Sequence, residues 1–278
     1  MNDRYVTNCE EIIKNINLNE IWNKICNEAE EASALDAAVS QSIHHAILSH
    51  DNIINVIIAR ISERLAVPDM NSSILSQALH EISSNIQHLE HKIYADVIAF
   101  YERDAACHRY IEPILYFKGF LALQVHRFAH AFLQQGRKDF SYFLQSRSSS
   151  IFQTDIHPAA QIGCGILLDH ATGLVVGETA VIENNVSILH GVTLGGTGKQ
   201  IGDRHPKIRH GVLIGAGAKI LGNIEVGACA RIASGTVVLK DVPAYVTVAG
   251  VPAKIVGTIK DVEPAQTMDQ CLKDISAL

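Results

Sequence analysis

With 278 residues, a net charge of −6 and a pI near 6.1, the chain is long enough for a full core and two domains, and its acidic balance excludes a general nucleic-acid binder. No run of eighteen apolar residues predicts a membrane span, and the start, MNDRYVTNCEE, lacks the basic end and apolar core of a secretion signal. Six scattered cysteines, Cys9, Cys26, Cys107, Cys164, Cys229 and Cys271, form no C-x-x-C pair; they fit free thiols in a reducing cytoplasm, where the protein is expected to reside.

Residues 1–150 read as helical. No glycine occurs before Gly119, and apolar residues recur at helical spacing. Ile12, Ile13 and Ile16, then Ile21, Trp22 and Ile25, fall on one face. A strongly apolar segment from Ile53 to Leu65 ends at Pro68. Asn71-Ser72-Ser73 suits the cap of a helix carrying Ile74, Leu75, Leu79 and Ile82. Further helices are predicted around 92–105, 114–135 and 139–149. The expectation is a helical domain that covers one end of the next domain and builds an oligomer. The pairs His44/His45 and His88/His91 have no third ligand near in sequence and read as exposed or hydrogen-bonded. The stretch YERDAACHRY contains Arg103 and Asp104, which alone would be a solvated charge run.

From Ile156 the period becomes six: IHPAAQ, IGCGIL, LDHATG, LVVGET, AVIENN, VSILHG, VTLGGT. Aliphatic residues lead each block, at Ile156, Ile162, Leu168, Leu174, Ala180, Val186 and Val192. The pattern breaks across GKQIGDRHPK and resumes at Ile208, Ile214, Ile220, Val226, Ile232 and Val238, which implies ten inserted residues (208 − 198 = 10). Neither a helix nor a simple strand has a period of six. Short flat strands joined by corners do, three sides making a coil of about eighteen residues whose leading aliphatics stack about 4.8 Å apart.

Three polar clusters stand where a bare coil needs none: Asp155-Ile156-His157-Pro158, Asp169-His170-Ala171-Thr172, and Asp203-Arg204-His205-Pro206 inside the insertion. An insertion cannot stack, so it projects as a loop near 198–207, and displayed loops commonly carry function. Asp155 and His170 lie fifteen residues apart, close to one coil, so a carboxylate–imidazole contact is expected, the carboxylate fixing the tautomer of a general base. Arg204 offers a planar fork for a carboxylate, and Asp169 an acceptor for an ammonium group. The run VTLGGTGK fails the P-loop pattern, because Gln200 follows Lys199. Small residues there leave an open groove instead.

The run from DIHPAAQ to LGGTG, with LDHATG, followed by GDRHPKI and IGAGAKILGNIEVG, resembles the serine O-acetyltransferases of bacteria and plants, strongly over 111–258. The resemblance implies an α+β chain: an N-terminal α-helical oligomerisation domain (1–150), a left-handed parallel β-helix of hexapeptide repeats (151–258) that carries catalysis, and a flexible tail (259–278). It implies transfer of acetyl from acetyl-CoA, a co-substrate, to L-serine, with no metal, and feedback inhibition by L-cysteine. It further implies a homotrimer, or a dimer of trimers, with active sites between neighbouring β-helices.

By the same resemblance His170 is the base and Asp155 its orienter. Asp104 and Asp169 hold the amino group, and Arg204 and His205 the carboxylate. Gly196 and Thr197 approach the thioester. Ala216, Lys219, Ser234 and Lys254 line the coenzyme groove, Ser234 through its backbone. His190 lies near the reacting centre, its role open. Ile201 stands where relatives often have glycine. The chain ends in Leu278, where an isoleucine commonly binds O-acetylserine sulfhydrylase, so weaker partner binding is expected. Three alternatives stay open: another acyltransferase acting on homoserine, a sugar or an antibiotic; a γ-carbonic-anhydrase-like hydratase using His205 and His210; and a non-catalytic scaffold for the sulfhydrylase.

Overall fold

The computed structural model describes residues 17–198, 201–260 and 263–271. Among the described residues eight α-helices precede the strands: α1 (Leu18–Leu35), α2 (Ala37–Ile43), α3 (Ile53–Leu65), α4 (Ser72–Ser83), α5 (Leu89–Arg103), α6 (Ile111–Leu115), α7 (Lys118–Gln134) and α8 (Lys138–Phe152), with a π-helical turn at His44–Leu48. Asparagine side chains start three of them. Asn17, Asn52 and the expected Asn71 each accept from a backbone N–H three residues on. Ile21, Ile25, Ala29 and Ala32 form the buried stripe of α1; Ile12, Ile13 and Ile16 lie outside the described residues. The predicted 114–135 helix is two, α6 and α7, separated at Tyr116 and Phe117. Helix α7 is buried on nearly every side, as a central helix must be.

Fifteen short strands follow among the described residues, β1 (Thr154–Ile156), β2 (Gln161–Ile162), β3 (Leu167–Leu168), β4 (Leu174–Val176), β5 (Val181–Ile182), β6 (Ser187–Ile188), β7 (Thr193–Gly195), β8 (Lys207–Ile208), β9 (Leu213–Ile214), β10 (Lys219–Leu221), β11 (Glu225–Val226), β12 (Arg231–Ile232), β13 (Val237–Val238), β14 (Val246–Ala249) and β15 (Lys254–Thr258). They form three parallel faces of a solenoid, ordered β1-β4-β7-β10-β13, β2-β5-β8-β11 and β3-β6-β9-β12-β14, with β15 added antiparallel to β14 across a register shift. Each face has its own buried column. One is Ile156, Val176, Leu194, Ile220 and Val238; the second is Ile162, Ile182, Ile208 and Val226; the third is Leu168, Ile188, Ile214, Ile232 and Val248.

These columns correct the phase read from the sequence. The leading residue after Leu168 is Val176, not Leu174, and the next are Ile182, Ile188 and Leu194, not Ala180, Val186 and Val192. The ten extra residues are therefore divided: two between Leu168 and Val176 (176 − 168 − 6 = 2) and eight between Leu194 and Ile208 (208 − 194 − 6 = 8). Period counting missed this because Leu174, Ala180, Val186 and Val192 are also buried, two positions before each leader.

The helices close the first coil, and buried ions join the two parts. Asp96 accepts from Arg127 Nη2 at 2.5 Å, Arg127 Nε at 3.1 Å and Gln124 at 3.0 Å, and its other oxygen takes the Ile166 N–H of the solenoid at 3.1 Å. Arg127 also donates to the Gly163 carbonyl. Residues 259–278 are not uniformly a loose tail: α9 (Pro264–Thr267) packs against α5 with Ala265 fully buried. Leu278 lies outside the described residues.

Gly119 marks the closest approach of α7 to the first coil. A methyl there would sit 2.1 Å from the Leu168 carbonyl oxygen. Alanine gains about 1 kcal/mol in helix propensity, but overpacking costs about 1–3 kcal/mol, and the overlap is with backbone that cannot rotate away. Gly119→Ala is expected to lower the thermal midpoint in calorimetry; an unchanged or raised midpoint would show that the contact yields freely.

Candidate active site

The two-residue excess in the first coil sits at the corner between β3 and β4. Gly191 donates to the Thr172 carbonyl, while Asp169 donates to Ile188. Thr172 thus faces His190, and His170 and Ala171 are the supernumerary pair. Both adopt left-handed backbone, φ +52° and +54°, a region that costs a non-glycine residue about 1–2 kcal/mol. Strain of this kind collects at functional sites. The bulge turns the His170 side chain outward, 76% exposed, and Lys118 braces it through Thr172 Oγ1 at 2.5 Å.

Two further groups stand beside His170, and a third acts on the nearer of them. His170 Nε2 is 3.7 Å from Asp169 Oδ1, and the His170 ring is 6.0 Å from that of His190. Burial, and next among the raising influences the Asp104 carboxylate, push Asp169 above the usual carboxylate range, while the histidines oppose the shift. Asp104 stands at the C-terminal end of α5, where its Oδ1 accepts the Ala106 N–H. Asp104, Asp169, His170 and His190 therefore gather at one corner, drawn from a helix end and two successive coils.

The same corner continues upward. Gly217 donates to His190 and Gly235 to Ala216, so Thr172, His190, Ala216 and Ser234 form one column, a residue per coil about 4.8 Å apart. Lys219 reaches back along it to the Gly191 carbonyl. Ala216 and Ser234 thus lie on the edge that carries His170, whereas Lys254 is exposed on β15.

Arg204 and His205 lie elsewhere. Their loop folds against the corner between β4 and β5. Arg204 donates to Glu178 at 2.6 Å and to the Gly202 carbonyl at 3.0 Å. His205 is buried, its Nδ1 accepting the Thr179 N–H at 3.1 Å, which leaves the proton of a neutral ring on Nε2. Burial, then the Arg204 guanidinium, hold its pKa below the ordinary value. Gly177 makes room for the ring: a methyl there would overlap His205 Cδ2. Gly196 passes beside Arg204, and Thr197 Cγ2 lies over Gly222. His157 faces this corner too, its pKa lowered chiefly by burial. His210 lies apart from His205, with its backbone N–H and ring on Glu183.

One chain therefore carries two polar clusters, at opposite edges of the β1-β4-β7-β10-β13 face. From Gly173 to Gly177 the strand β4 separates the two corners by four steps (177 − 173 = 4), about 13 Å of extended chain, further than one amino acid reaches. The expected contact of Asp155 with His170 is not made within the chain. Asp155 pairs in register with Val175 on the open face and accepts from Gln145 at 2.7 Å. The offset of the first coil is twenty residues, not eighteen, so a spacing of fifteen does not bring the two together (174 − 154 = 20). Sequence reasoning also missed Glu178 and Thr179, which lay unread in the block LVVGET.

The profile of the serine acetyltransferase N-terminal region matches residues 21–125, and that of the bacterial transferase hexapeptide (six repeats) matches 205–240. The serine acetyltransferase of Escherichia coli K12 is 47% identical over 268 residues, 96% of each chain. This chain belongs to the serine acetyltransferase family. Among solved structures, Brucella abortus serine acetyltransferase in complex with coenzyme A superposes with a TM-score of 0.86 at 58% identity, covering 87% of this chain and 97% of its own. A serine acetyltransferase in complex with cysteine gives 0.90 at 47% identity, covering 92% and 99%. The family fold, helices followed by a parallel β-solenoid, is the fold found here.

The raised pKa of Asp169 fixes the sign of a stability effect. Both states are protonated at low pH; as pH rises the unfolded state ionises first, so the folded protein loses stability between the ordinary carboxylate pKa and the raised one. Asp169→Asn removes that loss. Its thermal midpoint should match the wild type near pH 3 and equal or exceed it at pH 7; a variant less stable at pH 7 than at pH 3, relative to wild type, contradicts the assignment.

Proposed function

We propose that the chain transfers the acetyl group of acetyl-CoA to the hydroxyl of L-serine, giving O-acetyl-L-serine and CoA. Family membership supports this, and the observation that carries it is the displayed His170 beside two carboxylates at the foot of a groove-lining column. His170 takes the hydroxyl proton as the serine oxygen attacks the thioester carbonyl. The C–S bond then breaks, and the imidazolium returns the proton to the CoA thiolate. A positioned base typically contributes roughly 10²–10⁴-fold. Asp169, the carboxylate beside the ring, stabilises the imidazolium and, with Asp104, receives the serine ammonium. Arg204 clamps the serine carboxylate in a forked pair, with His205 at its side. Gly196 and Thr197 face the thioester, and Ala216, Lys219, Ser234 and Lys254 the coenzyme. No residue of the chain need become acylated.

The two half-sites support a composite site. His170 of one copy and Arg204 of another meet when solenoids pack edge to edge, which three copies around an axis satisfy. We therefore read the unit as a homotrimer, with the helical segment pairing trimers, and L-cysteine as an inhibitor at the serine position.

The direct test is thiol release from acetyl-CoA with L-serine, compared with homoserine and glucosamine, with and without L-cysteine. Serine should be the preferred acceptor and cysteine should suppress it; a preference for either other acceptor refutes the reading. His170→Ala and Arg204→Ala should each lose at least about 10²-fold in kcat/KM. Refolding the two variants together should restore part of the activity, because some interfaces then hold both wild-type halves. No recovery from mixed trimers would place the whole site in one chain.

The sulfhydrylase complex is part of the same proposal. Leucine at 278 branches one carbon further out than isoleucine, so Leu278→Ile should bind the sulfhydrylase more tightly in calorimetric titration; equal affinities reject the idea.

A further inference from the structure

Arg103 ends α5, immediately before Asp104. Its side chain is 9% exposed and leaves the helix for the solenoid. Nη1 donates to the Gly165 carbonyl at 3.0 Å and to Ser187 Oγ at 3.2 Å, and Nη2 to Asn185 Oδ1 at 3.2 Å. Ser187 passes its own proton to the Ala265 carbonyl of α9 at 2.8 Å. The guanidinium therefore grips two successive coils at the strands that lead, a few residues later, to Asp169 and to His190.

Stability alone does not account for this arrangement. Among the described residues every hydrogen-bond acceptor of Arg103 is neutral, and its buried Nε has none. Arg127, one helix away, has the Asp96 carboxylate at 2.5 Å. Burial holds the guanidinium pKa below its ordinary value, and the Glu102, Glu263 and Asp96 carboxylates oppose this only through space, so burying the charge costs free energy that an apolar side chain of similar length would avoid. What the guanidinium supplies is direction: three bonds from a planar fork fix the end of α5 against both coils. The group whose place depends on that end is Asp104, which must reach the same corner as Asp169 from a different element.

We propose that Arg103 is a positioning residue for the serine ammonium site, acting through Asp104. The inference rests on the reading of Asp104 as a serine-binding carboxylate. A shift of about 1 Å in a positioning group can cost up to about 10²-fold, so a several-fold effect on the serine KM is the scale expected of a residue that acts through its neighbour.

The test uses the full chain and steady-state kinetics with both substrates varied. Arg103→Lys keeps the charge and loses the fork. It should raise the serine KM by about fivefold or more, leave the acetyl-CoA KM within about twofold, and change the thermal midpoint little. Asn185→Ala, which removes one acceptor, should move the serine KM in the same direction by less, and it carries the measurement if the lysine variant does not fold. In an Asp104→Asn background Arg103→Lys should add nothing further, because the two act as a unit. Equal rises in both KM values, an unchanged serine KM, or additive effects in the double variant overturn the proposal. Should Asp104→Asn alone leave the serine KM unmoved, it is the assignment of Asp104 that fails, and that outcome is separate from the behaviour of Arg103.

Discussion

The inward columns of the solenoid constrain everything else in the molecule. Each aliphatic must rest on its equivalent in the coil below, at the spacing of hydrogen-bonded strands, so no coil can absorb an additional residue within a strand. Surplus chain has to leave at a corner. The sequence holds two such surpluses, and both carry polar residues of the proposed site: His170 beside Ala171 at one edge of a face, and the loop with Arg204 and His205 at the other. Polar side chains are displayed where stacking fails, and stacking is preserved because they are kept outside it.

A regular solenoid also has an open bottom, and the helices close it with ions as well as with apolar side chains. The Asp96–Arg127 pair is desolvated, yet both partners are tied to backbone groups of the first coil that would otherwise be orphaned. Removing one partner would strand the other and a peptide group together, a larger loss than the pair's net contribution. This interlock lets a residue at the end of a helix, Asp104, share a corner with residues of the coils.

Much of this was legible in the sequence. The six-residue period announced the coils, the asparagine before Ser72 announced a helix start, and the clusters at Asp169-His170 and Arg204-His205 stood out because a bare repeat has no use for them. The phase was not legible. Two buried positions occur in every block that precedes the loop, and counting from either one gives an equally good pattern until strand pairing distinguishes them. That error hid the bulge, made one coil look eighteen residues long where it is twenty, and brought Asp155 and His170 closer on paper than they are in space. The partners of Arg204 were illegible for a different reason: Glu178 and Thr179 meet the loop only because a coil returns there after twenty-six residues (207 − 181 = 26). Arg103 looked like one charge among several, since nothing in its neighbours reveals that it is buried.

The antiparallel strand β15 bears on how copies of this molecule can associate. An unfinished stack of parallel strands is a template to which another stack can add. At the far end β15 runs against the direction of the coils, with a register shift and an exposed outer side, and at the near end helices occupy the equivalent position. On that face neither end of the described solenoid offers the parallel ladder that a second solenoid would extend. Axial extension through that face is thereby disfavoured.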